Sequence, residues 1–221
     1  MIPHGLDLSL GSAEGLDHAY LDRVAALIER VDPPWWSEHV AFTRAGDYAI
    51  GHLAPLPFTT EALDTMSANI EQVRERIAVP LILENITYTL DFGEQQLSEA
   101  AFLRELCERT DCGLLLDVTN LRLNALRHAY NEGDFLSALP LDRVVQLHFV
   151  GAERVGEEWV DSHGAAMSAE LWDLFGQVVS KTPNLKGAVL ERDKNFPPFG
   201  EILAELDEAR RLLAGTPAGA A

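Results

Sequence analysis

The sequence predicts an α/β fold, a (β/α) barrel of TIM type, and three observations carry that prediction. Short, nearly continuous apolar runs alternate with stretches whose apolar residues recur at helical spacing. Connections into the runs are tight, whereas several of those leaving them are long. Run after run also ends in a carboxylate or an imidazole.

In chain order, a first short segment ends in His4, and Leu16, Tyr20, Val24, Leu27, Ile28 and Val31 then mark a helix. Trp35-Trp36-Ser37-Glu38-His39-Val40-Ala41-Phe42 reads as a strand, followed by a long connection over 43–59. Leu63, Met66, Ile70, Val73 and Ile77 give the next helix, and the tight Ala78-Val79-Pro80 leads into a strand over 80–86. A second long connection, 88–97, precedes the helix of Phe102, Leu103 and Leu106, and Thr110-Asp111-Cys112 leads into a strand over 113–118. Strands follow at 144–150 and 187–191, with helices at Leu171, Phe175 and Val178 and at Ile202, Leu203, Leu206, Ala209 and Leu213. An open doubly wound sheet shares much of this pattern, but the loop asymmetry favours the barrel. The expected organisation is one barrel domain over 1–214 and a flexible tail over 215–221.

Composition bounds the function. The chain has 221 residues, 47% of them hydrophobic, which suits one well-buried globular domain. Its 17 Lys and Arg stand against 35 Asp and Glu, a formal net charge of −18 that disfavours nucleic-acid partners. No apolar run reaches the roughly 18 residues of a membrane span, and no signal peptide is expected. Only Cys107 and Cys112 occur, so reduced thiols and a cytoplasmic location are expected.

The strand ends carry the chemistry. After His4 they read Ser37-Glu38-His39, Leu83-Glu84-Asn85, Leu116-Asp117-Val118, Leu147-His148-Phe149 and Leu190-Glu191-Arg192. Burying one such group without a partner is costly, and burying one at the end of every strand would preclude folding. Convergence on a bound cation at one barrel mouth satisfies them together. Strand parity lets only one of Glu38 and His39 face the axis; His39 is the expected ligand and Glu38 its support. The same parity puts Asp161 and His163 on one face. Each residue also has a structural reading: His148 as a core histidine, Asp117 as a helix cap, Glu84 or Glu191 as an Arg partner, His163-Gly164 as a turn. Recurrence at equivalent positions weighs against these. Mixed His and carboxylate donors without Cys suit Fe, Mn or Zn. No GxGxxG, GxxxxGK[ST] or GxSxG motif is present.

At these residues the sequence resembles the multinuclear non-haem iron-dependent oxidative enzymes, a family that includes the cysteine-modifying enzyme of methanobactin biosynthesis. The matching stretches begin with His4-Gly5-Leu6-Asp7-Leu8-Ser9-Leu10-Gly11-Ser12, Ser37-Glu38-His39-Val40-Ala41-Phe42, Pro55-Leu56-Pro57-Phe58-Thr59 and Leu83-Glu84-Asn85. They continue with Gly113-Leu114-Leu115-Leu116-Asp117-Val118-Thr119-Asn120, Gln146-Leu147-His148, Asp161-Ser162-His163-Gly164 and Leu190-Glu191-Arg192-Asp193. The resemblance implies about two or three irons in a mixed-valence Fe(II)/Fe(III) centre, with O2 as co-substrate. His4, His39 and Glu84 would serve one iron, with Glu84 bridging to a second completed by Asp117, His148 and Glu191. Asp161 and His163, with Asn120, would hold a third. Glu84, Asp117 and His148 are the expected catalytic residues. Asp7 stands where the family has a small polar residue. The family also has about two strands ahead of its His-Gly motif, so the resemblance predicts about six of the eight barrel strands here.

The expected function is therefore an iron- and O2-dependent oxidase of cysteine residues in a ribosomally synthesised precursor peptide. A peptide-presenting partner protein, and a homo-oligomer covering the open barrel edge, are the expected partners. The alternatives are a divalent-metal sugar isomerase or endonuclease-like barrel enzyme, and a non-catalytic binding module.

Overall fold

The computed structural model describes residues 1–215 apart from Asp91, Glu94 and Glu157; of the expected tail only Gly215 falls within that range. Five parallel strands form the central sheet: β1 (Trp36–His39), β4 (Leu81–Glu84), β5 (Gly113–Asp117), β6 (Val144–Phe149) and β9 (Gly187–Leu190), in the order β1-β4-β5-β6-β9. His4 extends it by a parallel bridge to Ser37 on β1. This is the TIM-type α/β arrangement expected from the sequence. Among the described residues, no strand pairing closes β9 onto the His4 segment.

Between the strands run α1 (His18–Val31), α2 (Thr60–Arg76), α3 (Glu99–Thr110), α4 (Val118–His128), α5 (Glu132–Ala138), α6 (Ala169–Lys181) and α7 (Phe199–Ala214). Local chemistry sets most of their starts. The side chains of Asp17, Thr59, Ser98, Asp117, Asn131 and Ser168 each accept a backbone N–H of the helix that follows. α1 and α3 end on Asp32 and Asp111 in the left-handed conformation, which turns the chain sharply into the next strand.

Every residue of β1 and β4 is buried, as a parallel sheet covered on both faces requires. The core runs from Trp36 and Leu83 through Leu116 and Leu147 to Phe149, whose ring lies 5.0 Å from that of Phe175 on α6. Fully burying one such side chain is worth about 1.5–3 kcal/mol.

The strand expected over 35–42 is shorter than its apolar run, and the long connection after it is not irregular. Phe42–Ala45 (β2) and Tyr48–Ala54 (β3) pair as an antiparallel hairpin turned at Gly46, φ 56°. A second hairpin, β7 (Gly151–Val155) and β8 (Glu158–Ala165), follows β6 and carries Asp161 and His163. At its base a Cβ on Gly151 would lie 1.9 Å from the carbonyl oxygen of Ala166, so only glycine permits that approach. Both hairpins and all the expected ligands sit at the C-terminal end of the sheet.

Candidate metal centre

Strand register brings the expected residues together. His39 pairs with Glu84 across β1 and β4, and Asp117 pairs with His148 across β5 and β6. His4 reaches the same mouth because its bridge sets it beside Ser37, whose hydroxyl lies 2.7 Å from His4 Nδ1. That leaves His4 Nε2 3.2 Å from Glu84 Oε2. His39 Nδ1 donates to the carbonyl of Gly5 at 3.0 Å, so its Nε2 is the free nitrogen, and it too lies 3.2 Å from Glu84 Oε2. The other Glu84 oxygen, Oε1, lies 3.2 Å from His148 Nδ1, which is also 3.2 Å from Glu191 Oε2.

Among the described residues, three sets of donor atoms lie within 4.8 Å of one another: His4, His39 and Glu84; His4, His148 and Glu191; and Glu84, Asp117, His148 and Glu191. Glu84 belongs to two of them and faces different histidines with its two oxygens. Several donors are buried without an aligned hydrogen bond, among them Glu84 Oε2, His148 Nδ1, Asp117 Oδ2, Asn120 Oδ1 and Asp161 Oδ1. Buried polar atoms that meet without an aligned hydrogen bond are costly unless a cation fills the space between them. Nitrogen and carboxylate donors at this spacing fit divalent first-row ions.

The electrostatics agree. Burial pushes the Glu84 carboxyl up, but His148, His39 and His4 outweigh it and hold it well below the usual carboxylate range. Burial lowers His148, yet Glu191 and Glu84 overcome this and push it up to about 10. Asp117 is pushed up to about 8 by burial and by the nearby charges of Glu84 and Asp161. A carboxyl that reluctant to ionise beside a second acidic group marks a place where positive charge is missing.

The supporting residues are equally specific. Asp117 Oδ1 accepts the N–H of Asn120 at 2.6 Å, so it caps α4 while leaving Oδ2 for the centre. The Asn85 side chain brackets the Asp117 backbone, accepting its N–H at 2.9 Å and donating to its carbonyl at 3.1 Å. Asn120 Nδ2 donates to the Asn85 carbonyl at 3.0 Å, which holds its Oδ1 free. Glu38 turns away from the imidazoles' meeting point and accepts the N–H of Leu8 at 3.3 Å, gripping the segment that carries His4. Burial pushes Glu38 up to about 7. Arg192 pairs with Glu205 at 3.0 Å, which leaves Glu191 to His148.

Asp161 and His163 form a separate pair, with His163 Nε2 3.0 Å from Asp161 Oδ1. They lie outside the three clustered sets, linked to them through Glu191 Oε2 at 3.8 Å from His163 Nδ1. Asp193 Oδ2 lies 3.0 Å from the same nitrogen. His163 has φ 51°, so the regular extended strand assumed from sequence does not hold at that residue, although the two side chains still meet.

The family model for the RiPP precursor modification enzymes MbnB/TglH/ChrH matches residues 1–214. The chain belongs to that family. Curated relatives include a UPF0276 protein of Caulobacter vibrioides, 37% identical over 207 residues that cover 94% of this chain and 74% of the relative. Another, UPF0276 protein VP3015 of Vibrio parahaemolyticus, is 33% identical over 96% of this chain and 74% of its own length. Among solved structures, the apo form of 3-keto-D-glucoside 4-epimerase from E. coli superposes with TM-score 0.54 at 14% identity, covering 95% of this chain and 78% of that one. A D-psicose 3-epimerase from Clostridium cellulolyticum gives TM-score 0.56 at 11% identity over 96% and 78%. At such identities the likeness shows the barrel fold alone. Among the described residues, no helix is long and apolar enough to cross a membrane.

Proposed function

We propose that this chain is an iron- and O2-dependent oxidase that modifies cysteine residues of a ribosomally synthesised precursor peptide. The observation that supports this most directly is the convergence of His4, His39 and His148 on the two oxygens of one buried glutamate, Glu84. His4, His39 and Glu84 would hold one ion, and Glu84, Asp117, His148 and Glu191 a second. Asp161 and His163, with Asn120, are the proposed third position. Iron in these positions, cycling between Fe(II) and Fe(III), would supply the redox chemistry with O2.

The chain's own residues do the rest. Glu84 holds two donor sets at one spacing because each of its oxygens answers different histidines. Asp117 would be held as the carboxylate by positive charge at the centre, which offsets the burial and the neighbouring charges that raise it. Asn85 and Asn120 keep the Asp117 carboxylate aimed while the peptide enters. A cysteine brought beside a cationic centre is favoured as thiolate. A partner protein presenting the peptide belongs to the same proposal.

The test is elemental analysis of the chain purified anaerobically after growth with added iron. At least two irons per chain are expected, and Glu84→Ala or His148→Ala is expected to lower that content sharply. Unchanged iron in both variants would refute the ligand assignment. Stoichiometric zinc or manganese without iron would turn the assignment toward an isomerase-type barrel enzyme.

A further inference from the structure

Away from His4, His39 and His148, the start of α3 faces the α4–α5 turn. A cavity of about 780 Å³ opens there. Its walls are aromatic: Phe58, Tyr88, His128, Tyr130 and Phe135. Tyr88 stacks on His128 with ring centroids 4.3 Å apart, and Tyr130 stacks on Phe135 at 5.7 Å. Phe58 stands edge-on to Tyr88 at 5.6 Å. Of the polar side chains that also line it, Glu99 is the buried carboxylate, the first residue of α3 and only 7% exposed.

A glutamate in the first turn of a helix is stabilised by the N-terminal dipole, and it ordinarily stays in water while enjoying that benefit. Glu99 instead turns inward. Its Oε2 takes the hydroxyls of Tyr88 at 3.3 Å and Tyr130 at 3.4 Å, both long for O–H···O bonds. The Asn124 side chain is its third neutral partner, and among the described residues no Arg, Lys or His forms an ion pair with it. A buried carboxylate with weak neutral donors and aromatic faces around it lacks its counter-charge. Aromatic faces attract cations, and more strongly where water is excluded. Asp134 also lines the cavity, and the net charge of −18 favours a positive ligand over a negative one.

We propose that this cavity is a second binding site, taking a protonated primary amine on an aliphatic stem. The ammonium would sit against the Glu99 carboxylate and the stem between the Tyr130–Phe135 pair and Phe58. Such a group could be a free alkylamine or a lysine side chain of a bound peptide; the recognition chemistry is the same. The site is distinct from the metal centre, yet one segment serves both. Asn85, which brackets Asp117, lies three residues before Tyr88, and Asn124 secures that segment by accepting the Tyr88 N–H at 3.1 Å and donating to the Ile86 carbonyl at 2.8 Å.

The experiment is calorimetric titration of the full chain, with and without added metal, using n-butylammonium chloride against its neutral isostere 1-butanol. Saturable binding of the ammonium is expected, at least tenfold tighter than the alcohol, whatever the metal content. Glu99→Gln is expected to abolish that preference. In the unaltered chain, nuclear Overhauser contacts from the ligand methylenes to the Tyr130 and Phe135 rings locate the ion even if the variant fails to fold. Tighter binding of Nα-acetyl-lysine methylamide than of butylammonium would assign the site to a peptide side chain, and the reverse to a free amine. Equal binding of ammonium and alcohol, no saturable ammonium binding, or contacts to other residues would overturn the proposal. Failure of the metal centre to load would leave it standing.

Discussion

Gln146 donates an amide N–H to Nε2 of His148 across 2.9 Å, and the direction of that bond is forced from the far end of the carboxamide. There the indole N–H of Trp35, which can only donate, reaches Gln146 Oε1 at 2.9 Å. The near end is therefore the NH2 group, so His148 Nε2 accepts and Nδ1 carries the proton. Nδ1 is the atom that faces Glu84 and Glu191. The two carboxylates favour an imidazolium, while the carboxamide nitrogen opposes a second proton on Nε2. A metal ion on Nδ1 needs the proton moved to Nε2, where the carboxamide as placed offers it no acceptor.

Gln146→Glu replaces that nitrogen with an oxygen while keeping an acceptor for Trp35. A carboxylate behind a ligating histidine fixes the tautomer and raises its basicity. The variant is expected to hold its metal about tenfold more tightly. Competition titration against a chelator measures this, and equal or weaker affinity would rule out the tautomer argument. Gln146→Leu is expected to cost about 1–3 kcal/mol of stability, because it strands Trp35 and His148 together.

The metal-free chain is expected to be most stable near pH 5 and to lose stability steadily toward pH 9. Burial holds Glu38 and Glu99 up at about 7 and Asp117 at about 8, while the Asp161 carboxylate beside it lifts His163 to about 9. All four bind more protons folded than unfolded, so each contributes stability that falls as pH rises. The loss runs from 4.5 to about 7 for Glu38 and Glu99, from 3.8 to about 8 for Asp117, and from 6.5 to about 9 for His163. Glu84 and Glu191 act oppositely, since both are lowered, and their contribution disappears on acidification below their ordinary range. Bound metal keeps Asp117 ionised and flattens the alkaline limb. Melting temperatures across pH, with and without chelator, test this; a metal-free maximum at pH 8 would contradict it.

Gly5→Ala is expected to damage the His4 position specifically. A Cβ there would lie 2.1 Å from Glu38 Oε1, and Glu38 is buried and held by the Leu8 and His39 N–H groups at 3.3 Å each. The segment bearing His4 must then move off β1. Stability should fall by about 1–3 kcal/mol. Metal affinity should fall as much as in His4→Ala, and denaturant melts with metal titration compare the two. A Gly5→Ala chain that binds metal like the parent would show that His4 is not needed.

The ends of the parallel strands were legible because His148, Asp117 and their counterparts recur at equivalent ends of apolar runs, although each alone has a structural explanation. Parity separated His39 from Glu38, and the two side chains do part, with Glu38 turned to the Leu8 N–H and His39 to Glu84. The two hairpins were not legible: Phe42–Ala45 and Gly151–Val155 are too short, and too exposed at their tips, to show an alternation apart from loop. α5 was not anticipated, and α4 only through the reading of Asp117 as a helix cap, because its apolar period is broken. Asn120 and Asn124 interrupt the apolar period because they face Asp117 and the loop after β4 rather than the core. Glu99 gave no signal either, since a glutamate after a capping Ser98 reads as an ordinary solvated first turn. Its burial depends on Tyr88 and Tyr130, and spacing cannot bring them together.

His163→Ala separates the proposed third metal position from the two proposed at Glu84. Its imidazole is carried on the β7–β8 hairpin, outside the sheet, and its close partners are Asp161 and Asp193 at 3.0 Å each. Its link to the main cluster is Glu191 Oε2 at 3.8 Å, whereas the same oxygen is only 3.2 Å from His148. Removing the ring therefore leaves Glu84 with all three of its histidines and Glu191 with His148. Metal content is expected to fall by no more than one ion per chain, while Glu84→Ala empties both sites that share it. Metal analysis of the two variants, grown and purified side by side, makes the comparison. If His163→Ala emptied the chain as completely as Glu84→Ala, the centre would be one cooperative cluster, with the hairpin integral to it.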